Sequence, residues 1–255
     1  MSLKYDVIII GAGAAGMMCA IEAGKRGRKV LLIEHSKKIG EKIRISGGGR
    51  CNFTNLHTHP SKFISNNPKF VKSALSQYTQ NDFIDLIKKH EIKFHEKKLG
   101  QLFCDQSAQQ IIDMLLLECE KANVTIKKEL IVHEVSKKDD QYTVLSEKSN
   151  FSSQSLIIAT GGLSVPKIGA SAFGYDVAKK FDLDIIETLP ALVPLTFNEK
   201  ILEMCKELTG LSVEAIVSFD KSGIEMFFMR SMIQTAIREI ELAMKSVNAL
   251  KFKNG

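Results

Sequence analysis

Residues 5–16 read Tyr-Asp-Val-Ile-Ile-Ile-Gly-Ala-Gly-Ala-Ala-Gly. The apolar, β-branched run before Gly11 predicts a buried parallel strand, and the Ala/Met-rich stretch 17–24 after the glycines predicts a helix. Residues 29–33, Lys-Val-Leu-Leu-Ile, predict a second buried strand, which ends at the acid Glu34. The order strand, G-x-G-x-x-G, helix, strand, acid is a βαβ dinucleotide fingerprint of about 30 residues. Gly11 permits the tight turn, Gly13 lets the backbone approach a pyrophosphate, and Gly16 lets helix and strand pack closely. The positive end of the helix then faces the phosphates, and Glu34 accepts hydrogen bonds from a ribose diol. An acid at that point would repel a 2′-phosphate, which favours FAD or NAD over NADP. The fingerprint does not separate FAD from NAD.

Two later stretches extend the pattern. Residues 45–52, Ile-Ser-Gly-Gly-Gly-Arg-Cys-Asn, offer a second glycine-rich loop and a charge, Arg50, suited to phosphate. They lie in a long segment, 36–67, that has little periodicity and reads as a functional loop. Residues 156–159 predict another buried strand, which ends in Thr160-Gly161-Gly162. In a doubly wound sheet, ligands lie beyond such strand ends.

The rest of the chain reads coarsely. From residue 68 the pattern turns helical, and Ser107 with Gln110 suggests a capping box before a helix through residue 119. Residues 124–135 predict one or two strands, 142–145 another, and 172–181 a helix. Pro190 and Pro194 mark a boundary, 211–219 alternates like a strand of another domain, and 224–247 has helical period. The fold class expected is α/β: a glutathione-reductase-like FAD-binding Rossmann fold with a helical insertion and the start of a second, β-rich domain. The expected domains are residues 1–190, with the insertion at 67–122, and 191–255.

Composition is ordinary for a globular protein: 255 residues, 44% hydrophobic, 25% charged. No run approaches the ~20 apolar residues that span a bilayer, and no basic and apolar leader opens the chain. Five cysteines without a CxxC fit reduced thiols in a cytoplasmic protein. The net charge is +6, but the lysines read as scattered, with no RNP-type aromatic motif or zinc spacing, so no nucleic-acid partner is expected. His57 and His59 lack a third metal ligand nearby and read as surface loop. Cys51 reads as a packing residue rather than a redox nucleophile.

The stretches DVIIIGAGAAG, ISGGGRCNFTN, GQLFCDQSAQQIIDM, ATGGLSVPKIGASAFGY and PALVPLTF, between about residues 4 and 222, resemble a family of bacterial flavoproteins. These are NAD(P)/FAD-dependent, aminoacetone-oxidase-like oxidoreductases of the BaiN/RdsA type. The glycine-arginine-cysteine-asparagine loop is specific to them. The resemblance implies bound FAD, hydride transfer through the flavin, a transient NAD(P)H reductant and a small-molecule substrate. It implies that Gly11, Gly13, Ala14, Ala15, Gly16, Glu34 and His35 hold the ADP half. Lys42 and Ser46, Gly47, Gly48, Gly49, Arg50, Cys51 and Asn52 would lie along pyrophosphate and flavin. Val132 would meet the adenine, and Thr160, Gly161 and Gly162 would close over the cofactor. After Gly223 the resemblance stops, and the chain reads as lacking the family's C-terminal part. The tail 224–255 then reads as an amphipathic helix through which the chain self-associates, with no membrane role. No catalytic acid or base can be named. Two alternatives stay open: an NAD-binding dehydrogenase, and a non-catalytic remnant that binds FAD weakly or not at all.

Overall fold

The computed structural model describes residues 3–65, 67–164, 169–188 and scattered residues between 199 and 232. It divides into two compact units, Met1–Ile185 and Ile186–Gly255.

In the first unit, β1 (Leu3–Ile10) runs into α1 (Ala14–Lys25) and then β2 (Val30–Ile33), as the periodicity predicts. Then follow α2 (Glu41–Ile45), a 3-10 turn over Ser46–Gly49, and β3 (Asn52–Asn55). A second 3-10 turn, Pro60–Lys62, leads to α3 (Lys72–Gln77), α4 (Gln80–Lys89), β4 (Phe94–Glu96), β5 (Gln101–Cys104) and α5 (Gln109–Lys121). β6 (Thr125–Lys127), β7 (Val132–Lys138), β8 (Gln141–Ser146), β9 (Asn150–Ile158) and α6 (Phe173–Lys180) complete the unit.

The main sheet has the order β6-β2-β1-β9-β8-β7. The first four strands are parallel, and β8 and β7 are antiparallel. Alternation along β1 and β2 builds two cores. Ile9, Val30 and Leu32 pack under α1 and α5 with Met17, Ile21, Ile112 and Leu115. Ile8, Ile10, Leu31 and Ile33 point to the other face, where Val135, Val144 and Phe151 meet them and Phe173 and Val177 of α6 pack alongside. A sheet covered on both faces needs apolar residues at consecutive positions, which is why β1 and β2 read as continuous runs. Each fully buried Ile or Leu contributes roughly 1.5–3 kcal/mol.

The insertion is mixed rather than helical, which corrects the expectation for 67–122. β3, β5 and β4 form a separate antiparallel sheet, and β3 comes from the stretch that reads as loop. The β4–β5 turn uses left-handed Leu99 and Gly100. Strands of three or four residues are too short to show a period, so Phe94–Glu96 and Gln101–Cys104 were hidden between helices. The capping box also lies elsewhere. Thr79 and Asp82 cap α4 reciprocally, whereas the Ser107 hydroxyl only accepts from the Gln109 N–H at 3.1 Å.

In the second unit, β10 (Ser212–Val213) pairs with β13 (Ser231–Met232), and β11 (Val217–Ser218) with β12 (Glu225–Met226), both antiparallel. The expected helix over 224–247 is therefore strand at 225–226 and 231–232. The rest of that stretch lies outside the described residues, as do 165–168 and 189–198, which include parts of the last two quoted motifs.

Candidate functional site

The register of the sheet places three strand ends side by side. Ile10 of β1 pairs with Ile33 of β2 and with Ile158 of β9. The chain leaves β1 through α1 toward β2 on one side, while β9 flanks β1 on the other, so a crevice opens where the connections diverge. A cleft of about 610 Å³ occupies this place. Its floor is Ile10, Gly11 and Ala159, and its walls come from 33–36, 38–43, 130–132 and 169–173.

The three glycines of the fingerprint have different reasons. A Cβ on Gly11 would lie 2.5 Å from the Ala159 carbonyl oxygen, and its φ of +104° excludes other residues in any case. A Cβ on Gly16 would lie 1.8 Å from the Gly11 carbonyl oxygen, so helix and strand could not pack. At Gly13 a Cβ would meet nothing within 4 Å. Packing within this chain does not demand glycine there, and the open space belongs to the cleft. Gly13 also begins α1 without a side-chain cap, and the first turn holds no acid. The first N–H groups of a 12-residue helix thus face the cleft without side-chain acceptors, together with the positive end of its dipole.

Glu34 is 7% exposed on the cleft wall. One carboxylate oxygen accepts from the Ala12 N–H at 2.9 Å, the other from the Ser36 N–H at 3.0 Å. His35 Nδ1 lies 3.0 Å from the latter oxygen. A carboxylate has about four lone-pair sites, so Glu34 is held in place and keeps capacity for a diol. The His35 ring rests against Gly169, where a Cβ would come within 2.6 Å of Nε2. Lys42 Nζ donates to Ser164 Oγ at 2.8 Å and to the Gly162 carbonyl at 3.5 Å, which ties α2 to the loop after β9. Thr160 lines the cleft, while its hydroxyl is buried beside Gly174 and has no hydrogen-bond partner among the described residues.

Of the residues picked from sequence, Gly11, Gly13, Ala14, Ala15, Glu34, His35, Lys42, Val132, Thr160 and Gly161 line the cleft. Gly16 lies beneath it as a packing residue, and Gly162 stands near the Tyr175 hydroxyl. Ser46, Gly47, Gly48, Gly49, Arg50, Cys51 and Asn52 do not line it. That loop is anchored on the small sheet and α5: Cys104 N–H donates to the Arg50 carbonyl and Ala108 N–H to the Gly49 carbonyl. Left-handed φ at 47, 48, 49 and 51 makes it a tight coil rather than a loose loop. Leu130, Ile131, Ala170, Ser171 and Phe173 line the cleft and were not picked. Leu130 and Ile131 lie in no motif, and Ala170, Ser171 and Phe173 are small or apolar positions late in the stretch 159–175, with no chemistry of their own to mark them.

The residues set aside have structural employment. His59 accepts from the Ser61 N–H and so caps the Pro60–Lys62 turn, and His57 packs over Gly100. Burial pushes the Cys51 thiol up, against a smaller opposing effect of a hydrogen bond with Ser46. Burial, with Cys51 and Asp105 nearby, raises Cys104 to about 12. Neither favours the thiolate a nucleophile needs. Among the described residues, no helix is long and apolar enough to cross a membrane.

A family model described as the HI0933-like protein Rossmann domain matches residues 5–247. The chain belongs to this family. Its doubly covered parallel sheet and strand-end cleft are the FAD-binding Rossmann fold of that flavoprotein group. The HI0933-like chain is 51% identical over 221 residues to the ribosomal RNA dihydrouridine synthase of Escherichia coli (strain K12), covering 87% of this chain and 55% of that protein. It is 43% identical over 222 residues to the protein of the same name from Haemophilus influenzae (strain ATCC 51907 / DSM 11121 / KW20 / Rd), covering 86% and 55%. The chain thus spans about half the length of the curated relatives it matches. Among solved structures, glycine oxidase from Geobacillus kaustophilus superposes with a TM-score of 0.45 at 14% identity, over 72% of this chain and 60% of its own.

Proposed function

We propose that this HI0933-like chain is the FAD-holding part of a flavoprotein reductase that, as a whole protein, saturates the 5,6 double bond of a uridine in ribosomal RNA. The observation that carries the FAD site is Gly13. It is a glycine whose missing side chain leaves open space at an uncapped helix N-terminus, which a pyrophosphate fits. The RNA substrate is supported by the 51% identity to a protein named for that activity. It takes the place of the small-molecule substrate expected from sequence.

In this reading the N–H groups at the start of α1 bind the pyrophosphate, and Glu34 orients the adenosine ribose. Val132 and Ile131 cover the adenine side, and Lys42 neutralises charge on the side of residues 160–164. Burial of the β1 and β2 ends keeps water from the cofactor's underside. When bound, the flavin supplies a hydride acceptor and donor at N5. With one dinucleotide fingerprint in the chain, NAD(P)H visits as a transient reductant. Ser46–Gly49 and residues 50–52 serve the flavin end rather than the ADP half, since the ADP cleft excludes them.

Two measurements test the reading. The purified chain should show a flavin absorbance spectrum and release a compound with the mass of FAD on heating. Ribosomal RNA from cells that lack the full-length protein should lose a dihydrouridine detectable by mass spectrometry of nucleosides. A colourless chain that takes up no FAD, or ribosomal RNA with an unchanged dihydrouridine content, would overturn the corresponding half.

A further inference from the structure

Charge along this chain is segregated. Residues 42–81 contain Lys42, Arg44, Arg50, Lys62, Lys69 and Lys72, and no Asp or Glu. That one window carries +6. The whole chain carries +6 from 35 basic and 29 acidic residues, so outside the window 29 bases balance 29 acids. Among the described residues, Arg50, Lys62, Lys69 and Lys72 make no ion pair.

The same window exposes aromatic rings. Phe70 is 77% exposed and Phe63 44%, each one residue from a free lysine, and Tyr78 is 41% exposed. Phe63 follows the Pro60–Lys62 turn, and Phe70 stands in the turn before α3. The segment is tethered at both ends. Leu56 N–H donates to the Gly100 carbonyl at 2.8 Å, and Gln80 Nε2 donates to the Leu56 carbonyl at 3.2 Å. Phe70 is exposed over most of its surface and Phe63 over almost half, and exposed phenylalanines cost solubility. Lysines beside unstacked rings match a single-stranded nucleic acid, whose phosphates need cations and whose bases need π-faces. An anionic membrane also takes lysine and phenylalanine, but it favours a continuous amphipathic helix. Here α3 has six residues, and the two phenylalanines lie outside it.

We propose that the acid-free segment 56–78, through Lys62, Phe63, Lys69, Phe70 and Lys72, is a docking surface for single-stranded RNA. This rests on the reading that the whole protein acts on RNA, and it names how the substrate strand is held. The lysines bind phosphates and Phe63 and Phe70 stack on bases, so binding tolerates sequence and falls with salt.

The test uses the 255-residue chain loaded with FAD and a fluorescent oligouridine of about 12 nucleotides, within the site sizes of such surfaces. Anisotropy titrations run from about 50 to about 200 mM KCl. Lys62→Ala/Lys69→Ala/Lys72→Ala should reduce the slope of log affinity against log salt by about 2, at ~0.7 per neutralised phosphate. Phe63→Ala/Phe70→Ala should weaken binding at least about fivefold with the slope unchanged. Lys128→Ala/Lys137→Ala/Lys138→Ala, equal in charge but outside the window, should bind like the parent. Flavin absorbance checks that each variant is folded. The proposal is overturned if the parent does not bind, if both window variants bind like the parent, or if the control loses as much. It is also overturned if the variants keep RNA but lose binding to vesicles of phosphatidylcholine and phosphatidylserine, which would make the surface a membrane site. A full-length protein that reduces no uridine would remove the proposed reaction and leave this binding result standing. Parent-like affinity in both window variants would do the reverse.

Discussion

Gly13 and Gly16 are three residues apart in one motif, and the structure predicts opposite consequences for filling them. A Cβ at Gly16 would sit 1.8 Å from the Gly11 carbonyl oxygen, whereas such contacts are essentially never under 3.0 Å. α1 would have to retreat from β1 by about 1.2 Å, and the obstacle is backbone that cannot rotate away. Overpacking of this kind costs ~1–3 kcal/mol, and an immovable partner places Gly16→Ala near ~3 kcal/mol. For a unit of this size ~3 kcal/mol lowers Tm by about 6–12 °C. Gly13 has an ordinary extended backbone, φ −82° and ψ −171°, and open space beyond. Gly13→Val should therefore leave the melting of the FAD-free chain within about 2 °C of the parent, as for a surface change. Its side chain would fill the pyrophosphate position and remove at least one charge-assisted hydrogen bond. FAD should then bind at least about tenfold more weakly, from ~1.5–3 kcal/mol per such bond. Thermal melts of the FAD-free proteins and quenching of flavin fluorescence measure the two effects. The reasoning fails if Gly16→Ala melts with the parent, if Gly13→Val melts as low as Gly16→Ala, or if folded Gly13→Val binds FAD like the parent.

Other substitutions separate the cleft from its surroundings. Glu34→Ala should weaken FAD binding by ~1.5–3 kcal/mol through the lost ribose bonds, checked by the same quenching titration. Arg50→Ala should leave ADP affinity within about 0.5 kcal/mol by calorimetry, because Arg50 is outside the ADP cleft. A hydrogen bond from Lys121, and then one with His90, hold the Glu118 carboxyl below its ordinary range against an opposing effect of burial. Its contribution to stability is complete above the unfolded value of about 4.3 and is lost as pH falls through the lower folded value. Glu118→Gln should accordingly be less stable by ~1–2 kcal/mol in urea at pH 7, Lys121 being half exposed, with the gap closing toward pH 3. The Cys51 and Cys104 thiols should resist a disulfide reagent at pH 8 in the native protein and react fully in denaturant.

Much of the nucleotide half of the site was legible because its information is local. Ile8 to Gly16 and Val30 to Glu34 are continuous in sequence, and a buried parallel strand, a glycine turn and a terminal acid each leave a mark within a few residues. The sequence alone therefore determined the βαβ unit, the strand ends at Ile10 and Ile33, the third strand's end to within one residue of Ile158, and the place of Glu34. Other features needed the folded chain. Leu130 reaches the cleft because β6 pairs with β2 and the Leu130 N–H donates to the Glu34 carbonyl, and Ala170 and Phe173 because β9 pairs with β1 and returns the later chain to the first strand end. β3, β4 and β5 are too short for any period and form only by pairing across residues that read as loop or helix. The separation of residues 46–52 from the ADP cleft follows from their anchorage to Arg50–Cys104 and Gly49–Ala108 hydrogen bonds, a long-range fact. Exposure is likewise tertiary: Phe63 and Phe70 look like core residues in composition, and the fold leaves them in water because no buried face passes over the 56–78 segment.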